Sequence, residues 1–203
     1  MSAAAATTVE ITEEDRLRAD LYGFLSALLA APPDRMLLDK SAALHGDDTD
    51  LGRAIGTLSK LARAATPVSV EREFTRLFIG LGRGELLPYA SYYLTGFLNE
   101  KPLASLRKDM TAHRISRAPN VYEPEDNIAS LMEMMAGLIT GRFGVPAPLP
   151  RQREFFNRHI APWAGHFFAD LERAKGSVFY TPVGTVGRLF VNIEREAFRM
   201  SGA

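Results

Sequence analysis

The sequence predicts an all-α protein folded as a single domain over residues 1–203, with about eight or nine helices. Apolar residues recur at intervals of three and four along nearly every long segment, which is the period of a half-buried helix. Prolines, glycines and capping residues of the kind that begin and end helices separate these segments. The stretch after Ser177 looks briefly strand-like but has no second strand to pair with, so it is interpreted as helical up to Met200.

Two helices are predicted before residue 50. Thr12 caps the first, with Asp15 three positions on, and the helix stops before Pro32–Pro33. Pro33 is interpreted as the first residue of a short second helix that ends at Gly46, because proline suits the first helical position. The predicted apolar stripe of the first helix consists of Leu17, Leu21, Leu25, Leu28 and Leu29.

The third and fourth helices are predicted on either side of Pro67. Asp50 is the expected cap of the third helix, which stops before Pro67, and the fourth helix follows Ser69. From Ile79 to Leu98 glycines and a proline stand among aromatic residues. That composition predicts an ordered, irregular connection that contains a short helical turn.

The second half should begin with a helix opened by Pro102, and the two halves of the domain are expected to meet at a hinge near residues 115–124. Pro124 is predicted as the first residue of the next helix, with Glu125 and Asp126 at the positive end of its dipole. Two further prolines mark the remaining segments. Pro162 is expected to open one helix, and Pro182 to interrupt the last.

Composition excludes several classes of function. The 24 Lys and Arg residues balance 24 Asp and Glu residues, so a field that gathers nucleic acid without specificity is not expected. The chain has no cysteine, which rules out disulfides, thiolate metal sites and a cysteine nucleophile. Nowhere do about 18 apolar residues run together, so no membrane span is predicted. Met1–Glu10 lacks the features of a secretory signal, and a cytoplasmic location is expected.

No catalytic or metal-binding arrangement is evident in the sequence. Its histidines lack any zinc-site spacing and are interpreted as structural; they are His45, His113, His159 and His166. The glycines of Gly80–Gly84 could cradle a phosphate, but the run follows a helix and precedes Glu85, so a helix end and a sharp turn are the preferred interpretation. Neither enzymatic activity nor a cofactor is therefore expected.

Charged and aromatic residues leave a binding role open. Glu123, Glu125 and Asp126 either serve the start of a helix or form an acidic patch for a basic partner. Aromatic residues crowd the preceding region; they are Phe74, Phe78, Tyr89, Tyr92, Tyr93 and Phe97. Most should belong to the core. If some line a groove beside the acidic residues, the groove would suit an apolar peptide that carries arginines.

Four motifs, taken in order along the chain, resemble those of the TorD/DmsD/NarJ family of cytoplasmic chaperones for molybdopterin enzymes. The motifs are Glu73-Phe74-Thr75-Arg76-Leu77-Phe78, Leu87-Pro88-Tyr89-Ala90-Ser91-Tyr92, Glu123-Pro124-Glu125-Asp126-Asn127-Ile128 and His159-Ile160-Ala161-Pro162-Trp163. Each is modest alone, but four in order are specific. The resemblance extends from Leu21-Tyr22 to Phe179-Tyr180.

The resemblance implies an all-helical chaperone that binds the twin-arginine signal peptide of a molybdopterin oxidoreductase and holds the apoenzyme until its cofactor is inserted. Formate dehydrogenase-type, dimethyl-sulfoxide or trimethylamine-oxide reductase-type and nitrate reductase-type clients are all compatible, with a slight preference for the first. The peptide-binding residues that it implies are Phe74, Leu77, Phe78, Pro88, Tyr89, Glu123, Pro124, Asp126 and Asn127.

One position departs from the family pattern. Family members commonly carry histidine where this chain has Asn127, and an amide cannot take a charge. The oligomeric state is left open: family members can exchange helical halves, and a hinge near residues 115–124 would permit such an exchange. Two alternatives to the chaperone are a nucleotide-binding or nucleotide-hydrolysing protein built on Gly80–Gly84, with the acidic cluster holding magnesium, and a general helical adaptor.

Overall fold

A computed structural model describes residues 11–119 and 121–201. Within these ranges the regular structure is ten α-helices, two π-helical turns and one isolated bridge between Tyr89 and Asn127. The helices are α1 (Glu13–Ala30), α2 (Arg35–Ala42), α3 (Asp50–Ala64), α4 (Pro67–Phe74), α5 (Ala90–Thr95), α6 (Lys101–Ala112), α7 (Ile128–Thr140), α8 (Leu149–Phe155), α9 (Ala164–Arg173) and α10 (Tyr180–Met200). The first π turn is Thr75–Ile79 and the second is Phe156–Ile160. The predicted all-α class is confirmed, while the expectation about Met1–Glu10 lies outside the described residues.

The first helix begins as predicted and buries most of the predicted stripe, including Leu25, Leu28 and Leu29. Thr12 Oγ1 accepts a hydrogen bond from the Asp15 amide at 3.1 Å, and α1 ends before Pro32. Leu17, expected in the apolar stripe, is 64% exposed. Tyr22, which was not part of the predicted stripe, is fully buried, and α7 is the main neighbour of this helix.

Three predicted helix starts are wrong by one to three residues, each because a neighbouring side chain caps better. Asp34, not Pro33, caps α2 by accepting from the Leu37 amide at 2.8 Å. Thr49 rather than Asp50 caps α3. Thr66 and Ser69 cap each other's backbone in a reciprocal pair, so α4 begins at Pro67 instead of after Ser69.

The start of α7 is the correction that matters for the site. The prediction placed Pro124 at the first helical position, but the helix begins at Ile128, with Asn127 as its cap. Pro124, Glu125 and Asp126 form a turn outside the helix, in which the Asn127 amide donates to the Pro124 carbonyl at 3.2 Å. Their side chains are therefore free to serve other parts of the molecule.

Helix α7 lies at the centre of the core. Nine of its residues are buried, and its main neighbour is α1. Helix α10 packs against α9 and runs without a break, contrary to the interruption predicted at Pro182. Pro182 lies in its first turn, where amide groups have no partner within the helix. Among the described residues, none of the helices has the length and hydropathy needed to cross a bilayer.

Candidate peptide-binding groove

A groove of about 410 Å³ opens between the end of α1, the first π turn and the beginning of α7; we call it the aromatic groove. Phe74, Phe78 and Ile79 form its apolar wall, and Tyr89 and Glu123 reach it from loops. The remaining lining residues are Ser26, Leu29, Ala30, Pro88, Val121, Asn127, Ala129, Ser130 and Glu133. Its surface thus combines aromatic and aliphatic side chains with two carboxylates.

The first π turn builds the apolar wall. The Gly80 amide donates to the Thr75 carbonyl five residues earlier, at 2.7 Å. In this geometry residues five apart come into line, so Phe74 and Ile79 both reach the groove. Phe78 joins them and packs edge-on against the Phe74 ring, with centroids 4.9 Å apart.

The glycine-rich segment after the π turn has a structural use. Gly80 has a positive φ of 62°, and a Cβ there would lie 1.9 Å from the Arg83 carbonyl oxygen. A Cβ on Gly84 would meet the backbone of Phe78 at 2.5 Å. The chain then returns along the π turn, where the Leu86 amide donates to the Leu77 carbonyl at 2.8 Å. A tight reversal therefore accounts for glycine at both positions.

Backbone pairing brings the second and third sequence motifs together. The Ile128 amide donates to the Pro88 carbonyl at 2.8 Å, and the Ala90 amide donates to the Asp126 carbonyl at 3.0 Å. This pairing sets Tyr89 beside Asn127. The Tyr89 hydroxyl then donates to Glu123 Oε1, so that both side chains stand at the same edge of the groove.

Asp126 serves the backbone rather than the groove. Its Oδ2 accepts from the Ser91 amide at 2.7 Å, at the start of α5. Asp126 as a whole is only 1% exposed. A carboxylate at this position satisfies one of the free amides at the helix start. Asp126 therefore does not lie on the groove surface.

Asn127 lines the groove and also caps α7. Its Oδ1 accepts from the Ala129 amide at 2.9 Å. The acceptor is thus engaged in the helix start, and only the Nδ2 donors remain for a ligand.

Glu125 is committed to two arginines. It accepts from Arg107 at 2.9 Å and pairs with Arg117 at 2.7 Å. Burial acts to raise the pKa of Glu125, but the hydrogen bonds from the two guanidinium groups outweigh burial and hold that pKa below its usual value. This ion pair fastens the loop before α7 to α6.

A smaller cavity of about 140 Å³, the side cavity, adjoins the aromatic groove. The two share Val121, Glu123, Ser130 and Glu133. The side cavity has further apolar lining residues, among them Met110, Ile115, Met134 and Phe143. Its lining also includes the charged residues Arg117, Glu125 and Arg142. Glu123 and Glu133 therefore lie on the border between the aromatic groove and the side cavity.

The structure brings most of the predicted site residues to the groove. Those that line it are Phe74, Phe78, Pro88, Tyr89, Glu123 and Asn127. Leu77 is fully buried in the core, while Asp126 and Pro124 do not contribute to the lining.

Sequence reasoning missed Ile79 and Glu133. Glu133 follows Asn127 and Ser130 at intervals of three, which places the three on one side of α7. That spacing is the signal that could have found it. Ile79 shares no such pattern, because its position depends on the π turn.

The histidines do not assemble a metal site. Among residues 11–119 and 121–201, no group of His, Asp and Glu side chains has a metal-binding arrangement. His159 is buried, with its Nε2 at 2.7 Å from Asp109 Oδ2. Burial lowers its pKa, and the adjacent carboxylate only partly offsets that effect.

Comparison with known proteins agrees with this arrangement. Residues 44–169, more than half of the chain, match the family described as nitrate reductase delta subunit. The chain belongs to this family. The resemblance to TorD/DmsD/NarJ proteins that the motifs predicted is thereby confirmed.

Relatives of this chain are named as chaperones. The chain is 25% identical to chaperone protein TorD of Aliivibrio fischeri over 78% of its own length and 83% of the relative's. It is 28% identical to TorD of Vibrio cholerae over 78% and 71%. A crystal structure assigned as a redox enzyme maturation protein of Archaeoglobus fulgidus shares the fold, with a TM-score of 0.55, 18% identity and coverage of 93% and 99%. These findings support a molybdoenzyme-maturation chaperone and lend no support to the nucleotide-binding or adaptor alternatives.

Proposed function

We propose that this protein is a maturation chaperone that holds the twin-arginine signal peptide of a molybdopterin oxidoreductase in the aromatic groove. It would act stoichiometrically in the cytoplasm, without turnover, and keep the apoenzyme from export until the cofactor has been inserted. The single observation that carries the proposal is the pairing of an apolar wall with two carboxylates in one groove.

The apolar wall suits the hydrophobic segment of such a peptide. Phe78 and Ile79 are accessible, with Ile79 56% exposed, so a bound chain can bury apolar surface against them. Burial of this kind is the main source of affinity for amphipathic peptides in grooves. Phe74 supports the wall from behind, because it is itself 7% exposed and packs on Phe78.

The border carboxylates suit the arginines. Glu123 and Glu133 lie where the aromatic groove meets the side cavity, next to the apolar wall. A twin-arginine signal carries its two arginines directly before its apolar segment, so one peptide can reach both features. Arginine forms bidentate, charge-assisted hydrogen bonds with carboxylates, which makes it the favoured partner here.

The test compares neighbouring residues with different surroundings. Phe78→Ala removes part of the groove wall and should weaken binding of a client signal peptide by about 1–3 kcal/mol, the range for a truncated interface anchor. Leu77→Ala removes a core side chain and should lower the free energy of unfolding by about 2–5 kcal/mol. The affinity of the folded Leu77→Ala protein for the peptide should stay unchanged.

Both variants should be measured by titration calorimetry well below their thermal midpoints, with signal peptides of the formate dehydrogenase, dimethyl-sulfoxide or trimethylamine-oxide reductase and nitrate reductase types. The formate type is the first to test. Equal affinities for natural protein and Phe78→Ala would remove the aromatic groove as the binding site.

A further inference from the structure

Arg142 lies against the border of the groove. Helix α7 ends at Thr140, and Gly141 takes a left-handed conformation with φ of 77°, which turns the chain back. The Arg142 amide then donates to the Gly137 carbonyl at 3.0 Å. This reversal carries the Arg142 side chain along α7 to Glu133, where Nη1 donates to Oε1 at 2.6 Å.

Glu133 differs from the other carboxylates of this region. Glu125 is held by two arginines, and Asp126 is buried against the Ser91 amide. Glu123 accepts from the Tyr89 hydroxyl. Glu133, like Glu123, lines both the aromatic groove and the side cavity, but it pairs with one guanidinium, that of Arg142. The side chains of Glu133 and Arg142 are 53% and 63% exposed.

We propose that Arg142 occupies Glu133 as an internal substitute for a client arginine, and that an arginine of the bound peptide displaces it. The inference rests on the proposed function and names the residue pair that makes the groove selective for arginine. Ion pairs as exposed as this one are weak, so displacement is possible. In the protein without peptide, Arg142 remains paired with Glu133.

Selectivity follows from the exchange. When a peptide arginine displaces Arg142, one guanidinium takes the place of another, and the geometry of the ion pair with Glu133 is kept. A peptide without arginine leaves Arg142 in place and gains nothing at Glu133. A lysine would exchange a planar, two-pronged donor for a point charge and would be the poorer competitor.

The experiment uses two synthetic peptides of equal length. One has two consecutive arginines followed by a leucine- and alanine-rich segment, and the other has both arginines replaced by alanine. Arg142→Gln should tighten binding of the arginine peptide about two- to fivefold, because the internal competitor is gone. Glu133→Gln should weaken it about three- to tenfold, since a charged acceptor is lost. Neither change should affect the alanine peptide.

Two comparisons control the result. Arg199→Gln removes another exposed arginine, which pairs with Glu196 at 2.8 Å near the end of α10, and should leave both affinities unchanged. In the Glu133→Gln background, Arg142→Gln should have no further effect on the arginine peptide. Circular dichroism should show that every variant is folded as the natural protein is.

The outcomes separate the two proposals. If neither Arg142→Gln nor Glu133→Gln changes the affinity for the arginine peptide, the inference is overturned and the proposed function still stands. Tightening by Arg142→Gln that persists equally with the alanine peptide also overturns it, because the competition would not involve arginine. Failure of the natural protein to bind either peptide overturns the proposed function, and the inference with it.

Discussion

Glu73 connects two segments that lie far apart in the sequence. Its carboxylate accepts from the amides of Val178, Phe179 and Tyr180 at 2.7, 3.1 and 2.9 Å. These amides stand at the start of α10, where no helical carbonyl is available to them. Glu73 is 6% exposed, so the contact is shielded from water. The family motif that contains Glu73 therefore begins with a residue that serves the fold.

Replacing Glu73 tests this role. Glu73→Gln keeps the size of the side chain but removes the charge and one acceptor, and it should lower the free energy of unfolding by about 1–3 kcal/mol. Urea denaturation measures the change. Glu85→Gln is the matched control, because exposed Glu85 accepts from a single amide, that of Lys175, at 2.8 Å. Equal losses in both proteins would contradict a special role for Glu73.

Sequence reasoning at the scale of elements found the helices but misplaced several of their starts. Apolar periodicity is a property of many residues, so an error at one position leaves the helix recognisable. A helix start depends on a few side chains: Pro124 was expected to open α7, but Asn127 caps it. The backbone around Asn127 pairs with residues 88–90, which are distant in the chain. The same pairing, in which the Asp126 carbonyl accepts from the Ala90 amide, explains why Asp126 lies outside the groove where it was predicted.

Glycines in helices provide a prediction at this scale. A Cβ at Gly184 would lie 2.6 Å from the Glu172 amide nitrogen and 2.8 Å from the Phe168 carbonyl oxygen, so α9 and α10 approach closely there. Gly184→Ala should lower the free energy of unfolding by about 1–3 kcal/mol, the cost of overpacking. Gly56, in α3, has no atom within 4 Å of such a Cβ.

Gly56→Ala should therefore raise the free energy of unfolding by about 0.5–1 kcal/mol, the usual gain for alanine over glycine inside a helix. Thermal denaturation of the two variants beside the natural protein measures both effects. A stabilised Gly184→Ala protein would show that α9 and α10 are not in backbone contact.

At the scale of the whole molecule, ionisable groups favour the folded state near neutral pH. The hydrogen bond from Arg188 lowers the pKa of Glu172. Burial tends to raise the pKa of Asp109, but hydrogen bonds from Arg158 and His159 lower it on balance. Burial lowers the pKa of His159 itself. Each folded-state pKa thus lies below its unfolded value, and the unfolded chain binds more protons at acidic pH.

Stability should therefore fall as the pH falls. The thermal midpoint is expected to be level between about pH 7 and 8, to decline below about pH 6.5 as the unfolded histidine takes up its proton, and to drop more steeply below about pH 4. His159→Gln should remove the first decline, whereas His45→Gln, at an exposed position, should keep it. A midpoint that rises between pH 7 and 5 would contradict the direction given for His159.

The site could be predicted in part, because its motifs are short runs that can be read from the sequence. Its geometry could not be predicted, because it depends on contacts between distant parts of the chain. Phe78, Tyr89 and Glu123 stand in short recognisable runs, and the structure brings these runs together. Leu77 belongs to the same run as Phe78 but faces the core, since neighbouring residues of a helix point in different directions. The hinge near residues 115–124 and the exchange of halves that it would permit stay predictions.

The first π turn has a further consequence, which concerns chain length. A π turn holds one residue more than the α turn that it replaces. Deleting one residue between Phe74 and Gly80 would rotate the side chains before the gap relative to those after it, and Phe74 and Ile79 would no longer share a wall. A substitution alters the contacts of one side chain, whereas such a deletion would rearrange the whole apolar wall of the groove while leaving its side chains the same. In related chaperones, single-residue gaps at this position would therefore report a differently shaped groove even where every aromatic residue is retained.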